Sequence, residues 1–225
     1  MTSLPLGPPI QRRPAYSVAE AARYLSIPTP TLRSWFSGIK DAFVPVIQWE
    51  DPEDRRLSFA NLVEAHVLRG LRTKHGVSMP AVRKAIEYVE AEHDISRLLI
   101  HPGLRAASGR LFLQRYSELT ELSRSGQFVL ERAFAHHLEA IVQDAVGLPV
   151  RLYPWIPDSS VGPRKSVLIA PDISFGRPVT AGRGITTAVL ADQYDSGSTI
   201  ENLSEEYGLS TETIEDALAF ERAAA

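Results

Sequence analysis

The side chains best placed to do chemistry in this chain are donors. Thr29, Thr31, Arg33 and Ser34 fall within one stretch, TPTLRSWF, and hydroxyl and guanidinium groups gathered on one helical face suit phosphate oxygens and base edges in a DNA major groove. A second pair, Arg55 and Arg56, follows a run of acids, and a third, Arg12 and Arg13, sits in a proline-rich N-terminus. Arg177 and Arg183 lie on a glycine-rich loop in an otherwise acidic region. Nothing resembles catalytic machinery: there is no phosphate loop, no GxSxG and no spaced metal cluster. His136 and His137 are adjacent, so on a helix they point about 100 degrees apart and cannot act as an i, i+4 metal pair; a surface pair is expected. The chain reads as a non-enzyme with no cofactor.

The elements that must position the first group are two short helices. Val18, Ala21, Ala22 and Leu25 recur at helical spacing, with Ser17 as N-cap and Glu20 completing a capping box. Ser26-Ile27-Pro28 breaks that pattern. Thr29 is placed to cap a second helix with Pro30 at its first position, and Leu32, Trp35 and Phe36 form its apolar stripe before the stop at Gly38. A helix-turn-helix also serves as plain scaffold, so the pattern alone admits both readings.

Downstream, Phe43 to Trp49 is β-rich and interrupted by Pro45, Asp51-Pro52-Glu53-Asp54 reads as a turn, and Arg55 to Ser58 returns as a second strand. That predicts a small hairpin, or wing, with Arg55 and Arg56 on its return arm. The arginines either reach DNA phosphates or pair with Glu50, Asp51, Glu53 and Asp54. Residues 1 to 15 hold four of the sixteen prolines and predict an extended arm, either disordered or laid along the DNA backbone through Arg12 and Arg13. Ser58 then opens a helix with Leu62, Val63, His66, Val67 and Leu71 facing inward, ending near His75-Gly76. Ser78 opens another, with Val82, Ala85, Ile86 and Val89 as its stripe and Arg83 and Lys84 opposite.

In that order, the signatures SVAEAARYLSIPTPTLRSWF, RRLSFANLVEAHVLRGLR and GVSMPAVRKAIEYVE resemble the DNA-binding domain of the MerR family over about residues 16 to 92. The resemblance implies a winged helix-turn-helix in which Thr29 to Phe36 enters the major groove and Arg55 and Arg56 touch phosphates. His101-Pro102-Gly103 interrupts where that family places a long dimerising helix, and cysteines for metal sensing are absent. DNA binding therefore carries over, and metal response does not.

Residues 94 to 167 carry no motif. Leu98-Leu99-Ile100, Arg110 to Leu113 and Glu118 to Leu122 read as strands, Val129 to Val146 as a helix with Leu130, Phe134, Leu138, Ile141 and Val142 inside, and the whole as a connecting layer. Residues 147 to 183 hold six prolines among Tyr153, Trp155, Ile169, Ile173 and Phe175; exposed, such a stretch is a partner-binding strap, and buried, an inter-domain connection, with packing expected for most of it.

The last quarter repeats the opening pattern. Ile200, Leu203, Tyr207, Leu209 and Ile214 stand where Val18, Ala21, Leu25, Ile27 and Leu32 stand, while Arg33 and Ser34 give way to Glu215 and Asp216, with Glu212 beside them. A carboxylate face repels phosphate, so this copy is expected to avoid DNA and to use Ile185, Val189, Leu190, Leu218 and Phe220 for dimerisation or a partner protein. Phe175-Gly176-Arg177-Pro178, Gly182, Gly184-Ile185, Gly197 and the tail from Ile200 to Phe220 resemble a small bacterial domain of otherwise unknown function. Proteins of that kind are often antitoxins encoded beside PIN-domain ribonucleases. Joined to a MerR-like half, the module looks like a VapB-class antitoxin, although typical members are much shorter. The resemblance implies a cognate PIN-domain (VapC-type) toxin, and Arg177 and Arg183 are the candidates for contacting it, unless they pair with Asp172 or Asp192.

Charge divides the same way. Residues 1 to 93 carry 12 Lys and Arg against 10 Asp and Glu, and residues 94 to 167 carry 9 against 7, whereas residues 168 to 225 carry 3 against 10. A phosphate-binding surface therefore belongs to the N-terminal part. No apolar run approaches the ~20 residues of a membrane helix, and with no cysteine the chain fits the cytoplasm. The sequence thus predicts an α+β, mainly α protein in three parts. Residues 1–93 form a winged helix-turn-helix, 94–167 a small β-containing layer, and 168–225 an acidic helix-turn-helix-like module. The expected function is an antitoxin and autorepressor acting as a homodimer on operator DNA; the alternative is a MerR-like, ligand-responsive regulator with no toxin.

Overall fold

The helix around which the others pack is α3 (Phe59–Thr73), and it is buried on every side from Phe59 to Leu68. Its apolar residues Phe59, Leu62, Val63, Val67, Leu68 and Leu71 are at most 2% exposed, and so are Asn61, Glu64 and His66. A helix buried in an interior must find a partner for each polar side chain it carries. The computed structural model describes residues 8–38, 44–73, 78–154 and 165–224. Phe43, the expected helix end at His75-Gly76, and Trp155, Pro157 and Pro163 lie outside them.

Before α3 come β1 (Pro14–Tyr16), α1 (Val18–Tyr24), α2 (Thr29–Ser37) and β2 (Leu57–Ser58). After it come α4 (Met79–His93), α5 (Ala107–Thr120), α6 (Arg124–Glu139), β3 (Ile141–Gln143) and β4 (Pro149–Leu152). The chain closes with β5 (Val167–Leu168), β6 (Val179–Thr180), α7 (Thr187–Asp195), α8 (Ile200–Tyr207) and α9 (Thr211–Ala224). The described residues form three two-stranded antiparallel sheets, β1 with β2, β3 with β4 and β5 with β6. The fold is mainly helical, in the α+β class. No described helix is long and apolar enough to cross a membrane.

Three expectations change. Residues 44–49 form no strand: the amides of Val46 and Ile47 donate to Trp35 O at 2.8 and 3.1 Å, Ile47 is buried, and Trp49 stacks on Phe36 at 4.6 Å. Pro45 has no amide to give a ladder, and these side chains plug the end of α2 instead. Leu57–Ser58 pairs with Pro14–Tyr16, so the described residues contain no hairpin wing, and the end of the expected arm is a strand; residues 1–7 lie outside the described residues.

In the middle region, Leu98–Ile100 is a 3-10 turn and Arg110 to Thr120 belongs to α5. The buried positions of α5, Ser108, Gly109, Phe112, Leu113, Tyr116 and Ser117, keep helical spacing. Small residues at half of them hide the stripe. Finally, α6 begins at the N-cap Ser123, whose hydroxyl accepts from Gly126 N at 3.2 Å, and it ends before Ile141 and Val142, which are β-branched and enter β3.

One apolar core runs through Tyr16, Leu32, Leu68, Val89, Phe112, Phe134, Leu152 and Phe220. A second, made of Leu190, Leu203, Leu209, Ile214, Ala217 and Leu218, lies within the C-terminal module.

Candidate nucleic-acid interface and partner surface

The pair α1 and α2 is set by local chemistry. The Ser17 hydroxyl accepts from Glu20 N at 3.1 Å while Ser17 N donates to the Glu20 carboxylate at 2.8 Å, a reciprocal cap of a kind that stabilises a helix by about 1 kcal/mol. The turn places Ser26 at φ 47, and α2 starts at Thr29 itself, with Pro28 as N-cap and Pro30 in the first turn. Thr29 is therefore inside the helix and does not cap it, leaving its hydroxyl uncommitted. Ala21, Ala22, Leu25, Ile27, Leu32, Trp35 and Phe36 are buried between and beneath the two helices. Gly38, at φ 66, ends α2.

The outer face of α2 is therefore fixed in orientation. Arg33 is exposed, Thr29 and Thr31 are half-buried, and none of the three has a side-chain partner among the described residues. Ser34 differs, because its hydroxyl donates to Thr31 O at 2.7 Å and is spent on its own helix. Arg55 is exposed at φ 50. Arg56 is held in place, with Nη2 donating to Ala15 O at 2.6 Å; against the upward push of burial, the hydrogen bonds from Ser17 lower the Glu20 carboxyl, and the charges of Arg56 and Arg23 add to them. The acids beside these arginines serve other ends: Glu50 pairs with Arg97, and Asp51 Oδ1 accepts from the amides of Glu53 and Asp54. Arg13 Nε donates to Pro8 O at 3.1 Å, and Arg12 lines a surface cleft with Asp94, Arg97, His101, Pro102 and Leu148, none of which belongs to α2. The structure thus leaves Thr29 and Arg33, four residues apart, on one side of the outer face of α2, with Thr31 at its other edge, and draws Arg12 to a different set of neighbours.

Sequence reading missed the polar network inside α3. Arg97, in the left-handed region at φ 56, grips Glu64 with Nε at 2.9 Å and Nη2 at 2.7 Å and also donates to Glu50. Asn61 Nδ2 joins Glu64 at 3.0 Å and Gln48 O at 2.8 Å. Burial pushes the Glu64 carboxyl up, and Arg97 and Asn61 pull against it. The expected surface pair is also corrected: His137 is 5% exposed, its ring lies 5.5 Å from that of His66, and His66 Nε2 donates to His137 O at 3.3 Å. Among the described residues no group of three or more His, Cys, Asp or Glu could hold a metal.

In the C-terminal module, Leu203, Leu209 and Ile214 are buried as the repeat predicts, and Glu212 and Glu215 stand on the surface. Asp216 does not. It is 6% exposed and accepts from Ser166 Oγ at 2.6 Å, so the repeated helix presents fewer outward acids than expected. Leu190, Leu218 and Phe220 are consumed inside the chain, leaving Val189 exposed and Ile185 half-buried. Arg177 and Arg183 are exposed and form no ion pair with Asp172 or Asp192. Arg183 lies over Gly208, the left-handed cap of α8, where a cation complements the helix dipole. Phe175 departs from the packing expected for most of its stretch and is 94% exposed.

Residues 167–220 match the family model described as "Protein of unknown function (DUF433)". Across nearly its whole length the chain is similar to a Mycobacterium tuberculosis protein named "Putative antitoxin VapB45", at 27% identity over 91% of this chain and 92% of that one. It is also similar to "Uncharacterized protein Rv2308" of the same organism, at 25% identity over 92% and 90%. Its fold is shared with the crystal structure of Rv2018 from Mycobacterium tuberculosis, with a TM-score of 0.67, 24% identity, and coverage of 92% of this chain and 98% of that chain.

Proposed function

We propose that this chain is the antitoxin of a toxin–antitoxin pair. It binds and neutralises a PIN-domain, VapC-type ribonuclease, and it represses its own operon by binding operator DNA as a homodimer through the outer face of α2. The observation that carries the toxin half is the end-to-end similarity to a protein named as an antitoxin. The DNA half is supported by Thr29, Thr31 and Arg33 standing uncommitted on α2, and by the acidic balance being confined to the last quarter of the chain. On this reading the protein is cytoplasmic and has no catalytic role of its own.

The test has two arms. Purified chain is mixed with the ribonuclease of the neighbouring reading frame, where a stable complex with suppressed RNA cleavage is expected, and it is titrated onto its own upstream DNA, where a discrete shift is expected. Absence of the complex removes the antitoxin reading, and absence of the shift removes the repressor reading.

The second reading is a ligand-responsive regulator. It is favoured by one feature, a polar cleft of about 200 Å³ lined by Gln48, Glu64, Arg83, Glu87, Glu90 and Arg97 and situated just beyond α2 in the chain. A DNA affinity that changes with a small polar effector, in a protein that binds no ribonuclease, is the result this reading requires.

A further inference from the structure

The loop between β5 and β6 carries three consecutive residues in the left-handed region, Ser174 at φ 47, Phe175 at φ 57 and Gly176 at φ 76. Two of the three are not glycine, and such strain persists only where the surroundings impose it. Here they do. Gly176 N donates to Ile173 O at 2.9 Å, Arg177 N donates to Ser174 O at 3.1 Å, and a Cβ on Gly176 would lie 2.2 Å from the Tyr16 hydroxyl oxygen. Gly184 abuts Ile173, so the loop that bears Arg183 lies against the loop that bears Phe175 and Arg177. The result of this scaffolding is a phenyl ring 94% exposed to water, which does nothing for the stability of the chain.

We propose that Phe175 is the anchor of a protein-docking surface: its ring enters an apolar pocket on the cognate ribonuclease, and Arg177 and Arg183 meet carboxylates at the rim of that pocket. This deepens the antitoxin reading and rests on it. The charge of the partner follows from the two arginines, which are exposed and unpaired with acids in a module of net −7. A rigid aromatic held at the centre of charged neighbours is the usual form of an interface hot spot, because little entropy is lost when it docks. DNA does not fit the site, since exposed acids of the module, Glu201, Glu205, Glu206, Glu212 and Glu215, repel phosphate.

The experiment measures affinity for the purified ribonuclease of the neighbouring reading frame, using the full chain and its Phe175→Ala, Phe175→Glu, Arg177→Ala and Arg183→Ala variants. Phe128→Ala, which alters another exposed ring (63%), is the control. Thermal unfolding, oligomeric state and operator-DNA binding are read on every variant, and all three are expected to match the parent for Phe175→Ala, because the ring is exposed. Phe175→Ala is expected to weaken the complex by about 30-fold or more, Phe175→Glu by more still, and the arginine variants by less and in a salt-dependent way. Phe128→Ala is expected to change nothing. Unaltered ribonuclease affinity in Phe175→Ala overturns the proposal and leaves the antitoxin reading standing. Loss of DNA binding or of dimerisation in that variant, with the ribonuclease complex intact, also overturns it by assigning the loop to another occupant. If the unaltered chain does not bind the ribonuclease at all, the antitoxin reading falls and this proposal falls with it.

Discussion

Arg23 on α1 and Glu221 on α9 form an ion pair at 2.8 Å, across 198 residues of sequence. Glu221 also accepts from the Thr187 hydroxyl at the start of α7, and Arg23 lies over the Tyr24 ring at 5.0 Å. The helix that supports the candidate DNA-reading helix is therefore fastened to the last helix of the acidic module. Next to Glu221, Phe220 is 2% exposed and belongs to the same core as Tyr16, Leu25 and Leu32. The two ends of the chain share an interior.

Sharing a core predicts cooperative loss. Phe220→Ala, which empties a buried site, is expected to cost about 3–5 kcal/mol and to lower the stability of the N-terminal helices as much as that of the module. Urea unfolding followed by tryptophan fluorescence, with Trp35 and Trp49 as reporters, should show one transition moved to lower urea. The ion pair itself is partly solvated, so a double-mutant cycle on Arg23 and Glu221 should return about 1 kcal/mol or less.

Arg97 has a larger role. Removing it in Arg97→Ala strands the Glu64 carboxylate, only 3% exposed, and should cost about 3–5 kcal/mol. Replacing both partners, as in Glu64→Gln with Arg97→Met, should cost distinctly less. Equal losses in the single and double variants would show that the network is not the source.

Gly176 is predicted to be intolerant of any side chain. At φ 76 and 2.2 Å from the Tyr16 hydroxyl oxygen, the added methyl of Gly176→Ala should cost about 2–4 kcal/mol through backbone strain and overpacking. The Tyr16 hydroxyl has no partner, so Tyr16→Phe alone should be close to neutral, and combined with Gly176→Ala it should recover part of the loss. Melting temperatures of the three variants decide this.

Acid stability should report on His66. Burial, reinforced by His137 and Arg69, lowers its pKa to about 3. The unfolded chain then binds a proton that the folded chain refuses, so stability is lost as pH falls from about 6.5 toward 3, by up to roughly 1.4 kcal/mol per pH unit from this group. The slope of unfolding free energy between pH 6 and 4 should be shallower in His66→Gln. Parallel slopes in the two proteins would remove His66 from the account.

Much of the architecture was legible because it is written locally. The Ser17 and Glu20 cap, the Gly38 stop, the stripe of α4 and the repeat of α1–α2 in α8–α9 each depend on residues within a turn or two of one another. What failed depended on partners distant in sequence. Pairing of Leu57–Ser58 with Pro14–Tyr16 cannot be seen from the turn at Asp51 to Asp54, and α5 was read as strands because Ser108, Gly109 and Ser117 occupy buried positions where apolar residues were sought. The candidate site was legible to the same degree: Arg33 and Thr31 follow from helical spacing, whereas the commitment of Ser34 to Thr31 O, the inward turn of Asp216 and the exposure of Phe175 depend on packing that spacing does not encode. The burial of α3 on both sides was not legible, since Asn61, Glu64 and Arg69 fall on one side of the helix and read as a water-facing surface until Arg97 is brought against Glu64.

The central claim is that α2 reads DNA. A mobility-shift titration on the protein's own upstream DNA over a series of salt concentrations, comparing the chain with Arg33→Ala and Arg55→Ala, tests it most directly. If α2 reads DNA, affinity falls steeply as salt rises, Arg33→Ala loses at least about tenfold, and both variants show a shallower salt slope. An unchanged affinity in Arg33→Ala, with the same salt slope as the parent, would contradict it.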